Sequence, residues 1–134
     1  MEQRFSVVTL GVRDVARARD FYENGLGWKP SAIADEHVVF FQAGGVVLAL
    51  YPRHLLAEDA HLEDDEVPGF GGITLAYNAR RREEVDTVIA QAEAAGGAIL
   101  KPGAETAWGG YSGYFADPDG FLWEVAWNPH FWVE

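Results

Sequence analysis

The segment Phe121-Leu122-Trp123-Glu124-Val125-Ala126-Trp127 alternates as a strand does, placing Phe121, Trp123, Val125 and Trp127 on one face and Leu122, Glu124 and Ala126 on the other. The aromatic face is expected to pack under a helix, which leaves Glu124 as a carboxylate on the opposite, apolar face. A carboxylate so placed can orient a ligand or serve as a general base, and acids of this kind are enriched at functional sites. Upstream, Trp108-Gly109-Gly110-Tyr111-Ser112-Gly113-Tyr114 has too much glycine for a strand interior and too much aromatic surface for an ordinary loop. Trp108 and Tyr111 read as a mobile rim whose flat rings close over a flat or cationic group. The alternative is a bulge leading into a strand whose aromatics are core. The glycine spacing matches no phosphate-binding signature, since no Lys-Ser/Thr follows and no helix starts there. Thr9 and Thr74 add a hydroxyl to each of two strand-like runs, as polar contacts or as ordinary β-branched strand residues.

Other chemistries lack their residues. His37, His54, His61 and His130 fall in no recognisable ligand spacing, and Ser6, Ser31 and Ser112 lack an elbow motif or an obviously placed histidine. With no cysteine in the chain, thiolate metal sites, disulfides and cysteine nucleophiles are all absent.

The elements that must position Glu124 follow from pattern. Phe5 to Val12 reads as a strand, and Asp14 stands as N-cap to a helix with Val15, Ala18 and Tyr22 at helical spacing, closed by Gly25 and Gly27. Three short strands follow, around Trp28 to Ala34, His37 to Ala43 and Val46 to Tyr51. Residues 54–70 carry six acids and no base and read as a solvated connection, with one helical turn at His54 to Glu58. Gly72 to Tyr77 is again strand-like, and Arg80 to Ala95 carries Val85, Val88, Ile89 and Ala92 on one helical stripe. Its opening Arg80-Arg81-Arg82 reads as a solvated face with local ion pairs. Strands at Ala98 to Pro102, Tyr111 to Ala116 and Phe121 to Trp127 complete the chain, the last two joined by the turn Asp117-Pro118-Asp119-Gly120. The aromatic tail, with Phe131 and Trp132, is expected to cover a core edge or a partner subunit.

The chain has 134 residues, 49% of them hydrophobic, which suits one globular domain with a real core. Its net charge of -11 disfavours nucleic acid and anionic membranes, and no apolar run reaches a membrane-span length. Residues 1–53 are neutral, 54–70 carry -6 and 71–134 carry -5, so more than half of the imbalance sits on the connection. Without a signal-peptide pattern, a cytoplasmic location is the default expectation.

The order strand, helix, strand, strand, strand thus occurs twice, and Thr9-Leu10 matches Thr74-Leu75 while Gly45 to Leu50 matches Gly120 to Val125. This duplicated chain resembles the vicinal oxygen chelate superfamily, the group of glyoxalase I, bleomycin-resistance proteins and extradiol dioxygenases. The carriers are Thr9-Leu10-Gly11-Val12-Arg13-Asp14 with Phe21-Tyr22 and Gly25-Leu26-Gly27-Trp28. Near the end they are Gly113-Tyr114-Phe115-Ala116-Asp117-Pro118-Asp119-Gly120 followed by Glu124. The terminal motif is the more specific, joining a turn of fixed chemistry to a carboxylate at a fixed step.

The resemblance implies an α+β fold of two βαβββ modules forming one cup, with module one at 5–53, the acidic connection at 54–70, module two at 71–128 and the tail at 129–134. It implies a ligand in the cup and a homodimer. The family's metal positions fall on Val7, Ala49, Gly72 and Glu124, and Glu124 alone supplies a donor. Three protein ligands are the usual minimum for a catalytic divalent site. The expectation is therefore a binder of an unknown small molecule, flat or aromatic, without a divalent metal or other cofactor, contacted by Thr9, Thr74, Trp108, Tyr111 and Glu124. The alternative is a lyase or isomerase, either metal-dependent through non-family ligands or metal-free with Glu124 as general base. A third reading is an interaction module whose dimer is the function.

Overall fold

In a computed structural model of the chain, which describes residues 1–31 and 37–130, Asp14 begins the first helix as its position predicts. Its backbone is extended and its carboxylate accepts the Arg17 N–H at 3.1 Å. Helix α1, Val15–Asp20, runs on into a π-helical turn, Phe21–Gly25. This wider turn, closed by the Leu26 N–H donating to the Phe21 carbonyl at 2.9 Å, allows the adjacent aromatics Phe21 and Tyr22 both to be buried.

The chain forms two compact units, Met1–Gly69 and Phe70–Glu134. In the first, β1 (Val7–Val12), β2 (Val39–Ala43) and β3 (Val46–Pro52) form a sheet in the order β1-β3-β2, with β1 parallel and β2 antiparallel to β3. Leu10, Val12, Val39, Phe41, Leu48 and Leu50 are buried with Ala18, Phe21 and Tyr22. Tyr22 joins this core to Trp28 and Phe41, at ring-centre distances of 5.5 and 6.0 Å. Of the strand expected at Trp28 to Ala34, the described part shows one bridge, Pro30 to Phe41. Ala32 to Ala34 lie outside the described residues.

Helix α2, Arg53–Asp59, is longer than the single turn expected. It packs on Gly11, where a Cβ would stand 3.2 Å from both Arg53 Cα and Leu56 Cδ2. The acidic segment after it is tied back within the same unit: Arg53 pairs with Asp64 at 2.6 Å, and Glu66 pairs with Arg13 at 3.1 Å. The solvated connection therefore has fixed points, though each exposed pair contributes little.

In the second unit, β4 (Leu75–Asn78), β5 (Ala98–Glu105), β6 (Tyr111–Ala116) and β7 (Leu122–Trp127) form a sheet in the order β4-β7-β6-β5, with β4 parallel to β7. This repeats the β1-β3-β2 pairing with one strand more. The register of β5 on β6 shifts twice, between Ile99 and Lys101 and between Lys101 and Ala104. Helix α3, Arg82–Ala94, buries Val85, Ile89 and Ala92, while Phe115, Trp123 and Val125 are buried in the sheet. Phe115 and Trp123 stack at 6.2 Å, with their ring planes 8° apart. Ile89 lies against Gly113, where a side chain would collide with it and with the Lys101 carbonyl. After α3 the chain reverses through Gly96 at φ 106°, and the Gly97 N–H donates to the Ala92 carbonyl at 2.9 Å.

The start of β4 is a correction. The strand begins at Leu75, not Gly72, because its ladder to β7 begins with the pair Leu75 and Trp123, while Gly72 takes a φ of 82°. Phe131 and Trp132 lie outside the described residues. No described helix is long and apolar enough to cross a membrane.

Candidate functional site

The turn between β6 and β7 is built by Asp117. Its carboxylate Oδ1 accepts the N–H groups of Asp119 and Phe121, both at 2.9 Å, and its carbonyl accepts the Gly120 N–H at 2.9 Å, with Gly120 at φ 88°. This fixes the hairpin register: Ala116 faces Leu122, and two steps further Tyr114 faces Glu124. On its other side Glu124 pairs with Ala76 of β4, and Tyr114 pairs with Lys101 of β5. A row Ala76, Glu124, Tyr114, Lys101 thus crosses the sheet. Directly opposed residues bring their Cβ atoms to about 4.5–5.5 Å.

Phe115, Trp123 and Val125 occupy the α3 side, so alternation puts Ser112, Tyr114, Leu122, Glu124 and Ala126 on the side away from α3. The apolar setting expected for Glu124 is present there in Leu122 and Ala126. The Tyr114 hydroxyl, which sequence reading left out of the site, is held above the ordinary phenol range, first by burial and then by the negative charge of Glu124. Among the described residues the Glu124 side chain has no hydrogen-bond donor and no ion-pair partner. The pair is a part-buried carboxylate that accepts only, beside a phenol that stays protonated and can donate.

The Trp108 indole lies on the Cβ side of Gly110, which by alternation from Ser112 is the side of Glu124, so Trp108 stands at the end of this face, in a tight hairpin. The Thr106 N–H donates to the Gly110 carbonyl at 3.0 Å and the Gly110 N–H donates to Thr106 Oγ1 at 2.9 Å. The indole, 45% exposed, folds back onto Gly110, where any Cβ would overlap it. Tyr111 is placed on the opposite side of the sheet from Glu124. Its hydroxyl donates to Asp86 of α3, at 3.0 and 3.1 Å from the two carboxylate oxygens, and the Arg82 guanidinium stands 4.2 Å from its ring centre. The hydrogen bond to Asp86, then burial, hold its phenol above the ordinary range. Of the arginine run, Arg81 makes the local pair expected, with Glu84 at 2.9 Å, but Arg82 reaches out of the helix to Tyr111 and Glu105.

Thr9 lies in the first unit, exposed and opposite Ala49 in the register of β1 on β3. Thr74 is exposed and precedes β4, so the residue that stands beside Glu124 is Ala76. Gly72, Val7 and Ala49 supply no donor atom from a side chain, and Gly72 is not on a strand. The residues present do not fit the divalent centre that the resemblance implies. His54, Glu58, His61, Glu63 and Asp64 line an open groove of about 510 Å³ beside α2. Among the described residues no three histidine or acidic side chains converge to hold an ion.

Comparison with known proteins bears on the family and the fold. The family model of the Glyoxalase/Bleomycin resistance protein/Dioxygenase superfamily matches residues 4–125. A glyoxalase-related enzyme from Fulvimarina pelagi is 37% identical, covering 99% of this chain and 94% of that one with a TM-score of 0.90. A family enzyme from Burkholderia phytofirmans PsJN is similar in fold at 21% identity and a TM-score of 0.81, over 91% of this chain and 96% of the other. A lactoylglutathione lyase from Agrobacterium tumefaciens is similar in fold at 22% identity and a TM-score of 0.69, over 98% of each chain. No curated protein matches. The duplicated strand order, the Asp117 turn and the full-length match lead to one conclusion: the chain belongs to the glyoxalase/bleomycin resistance protein/dioxygenase superfamily.

Proposed function

We propose that the chain binds a small organic molecule on the face of its second sheet that carries Glu124 and Tyr114, without a divalent centre of the family's design. The observation that supports this reading is the facing pair itself: a carboxylate with no ion-pair partner among the described residues, opposite a phenol kept neutral. Together they offer one acceptor and one donor from directly opposed positions on neighbouring strands, which suits a ligand edge presenting a donor next to an acceptor. Trp108, at the end of the same face, adds a flat apolar surface for an aromatic part of the ligand. Thr74, just ahead of β4 in the same unit, remains a candidate contact, and the assembly proposed is a homodimer.

The test is calorimetric titration of the best ligand from a thermal-shift screen, since a molecule selective for the folded state raises the midpoint by mass action. Glu124→Gln is expected to weaken that ligand at least about tenfold, the scale of one lost hydrogen bond to a charged group. Equal affinity in Glu124→Gln and the parent chain would remove this face from the reading.

The same pair favours a second reading, a metal-free lyase or isomerase. Glu124 would take a proton from the substrate, and Tyr114 would donate to the oxygen on which negative charge develops. Glu124→Gln would then abolish turnover while leaving binding measurable. Unchanged turnover excludes Glu124 as the base.

A further inference from the structure

We infer that Arg82, Asp86 and Glu105 form a clamp on Tyr111 that sets the position of the Thr106–Gly110 hairpin, and with it Trp108. These are positioning residues: they lie at or facing α3, away from Glu124, and act on the binding face through the hairpin.

Glu105 is the last residue of β5 and Tyr111 the first of β6, and the two are register partners, so together they form the base of the hairpin. The first turns of α3 hold both. The Arg82 guanidinium pairs with the Glu105 carboxylate and stands 4.2 Å from the centre of the Tyr111 ring, while Asp86, one turn further on, accepts from the Tyr111 hydroxyl. A cation over an aromatic face and a phenol donating to a carboxylate are each directional, so they fix the ring in position and in rotation.

A second observation marks the contact as built into the chain. Gly103 lies beside it, and a Cβ at that position would collide with Asp86 Oδ1 and stand 2.9 Å from the Tyr111 hydroxyl oxygen. Glycine leaves the space in which carboxylate and phenol meet.

The link to the other face is short. Tyr111 follows Gly110, the Gly110 N–H is held by Thr106 Oγ1, and the Trp108 indole lies on Gly110. Releasing Tyr111 frees the strand end that carries the seat of the indole. Because Arg82 and Glu105 are half-exposed or more, water competes for the clamp, and it can open without loss of the core. The clamp stands on this geometry alone. Its consequence for ligand capture rests on the binding face proposed above.

The test is amide hydrogen exchange on the full chain without ligand, which separates the clamp from the question of what binds. In Tyr111→Phe and in Asp86→Ala, the Gly109 and Gly110 amides are expected to exchange on the order of tenfold faster, with the Ile89 and Val125 amides unchanged. Asp86→Asn, whose amide oxygen can still accept from the phenol, is expected to stay near the parent rate. Gly103→Ala, which displaces Asp86, is expected to behave like Asp86→Ala. Hairpin amides unchanged in Tyr111→Phe and Asp86→Ala would overturn the proposal. So would an equal rise at every amide of the unit, or an Asp86→Asn variant as exposed as Asp86→Ala.

Discussion

Tyr114 and Glu124 face each other across β6 and β7, and burial, followed by the charge of Glu124, keeps the proton on the Tyr114 phenol. Replacing Glu124 by Gln removes that charge and leaves the burial. The Tyr114 phenol is therefore expected to ionise at lower pH in Glu124→Gln, though still above an exposed tyrosine. Absorbance at 295 nm in an alkaline titration, with Tyr114→Phe to identify the late-titrating group, measures this directly.

Stability should also fall in alkali. Tyr111 and Tyr114 both have raised phenol values in the folded chain. Above the ordinary phenol value, about 10, the unfolded chain loses protons that the folded chain keeps. The stabilisation is thus complete below that pH and is lost as pH rises through the folded values. Urea midpoints measured from pH 8 upward are expected to hold until about pH 10 and then decline, and to decline less in Tyr111→Phe and Tyr114→Phe.

The close approach of α3 to its sheet predicts which core changes are severe. Phe115→Ala or Trp123→Ala is expected to cost about 3–5 kcal/mol, as for other buried aromatics. Gly113→Ala, which pushes a methyl group into Ile89 and the Lys101 carbonyl, is expected to cost about 1–3 kcal/mol. Because one of those neighbours is backbone, shortening Ile89 should restore only part of the loss, as denaturant titration of the double variant can show.

Since Val7, Ala49 and Gly72 carry no donor side chains, extensive dialysis against a chelator should leave the melting temperature unchanged. Elemental analysis of the purified protein is expected to find zinc, nickel, manganese and iron each far below one equivalent per chain. One tightly held equivalent, with a melting temperature that drops on chelation, would overturn the metal-free reading.

Phe70 and Ile73 are 72% and 74% exposed, unusual values for large apolar side chains so near each other in sequence. With a homodimer proposed, light scattering is expected to give twice the chain mass. Phe70→Ser with Ile73→Ser should shift it toward one chain without altering far-ultraviolet circular dichroism.

Much of this was legible in the sequence, for identifiable reasons. The limits of β6 followed from alternation and from Asp117-Pro118-Asp119-Gly120, and α3 followed from Val85, Ile89 and Ala92. Tyr114 could have been found from the same turn: a hairpin that pairs Ala116 with Leu122 must pair Tyr114 with Glu124. Alternation likewise separates Tyr111 from Glu124, since Tyr111 and Tyr114 lie an odd number of steps apart on β6 and Tyr114 faces Glu124. The start of β4 was not legible, because Ile73 and Thr74 have strand propensity but the ladder to β7 begins at Leu75. The π-helical turn was hidden as well, since a 3.6-residue period cannot register two consecutive inward aromatics.

The two register shifts in β5 also bear on how the protein behaves in concentrated solution. β5 is the outermost strand on its side of the second sheet and the longest strand in that sheet, so a straight β5 would offer a template for strands of other molecules. The shifts break the regular spacing of its outward hydrogen-bonding groups, Pro102 lacks an N–H, and Lys101 brings a charge to the same stretch. The irregularity that accommodates Gly103 beside Asp86 thereby also discourages sheet-to-sheet aggregation.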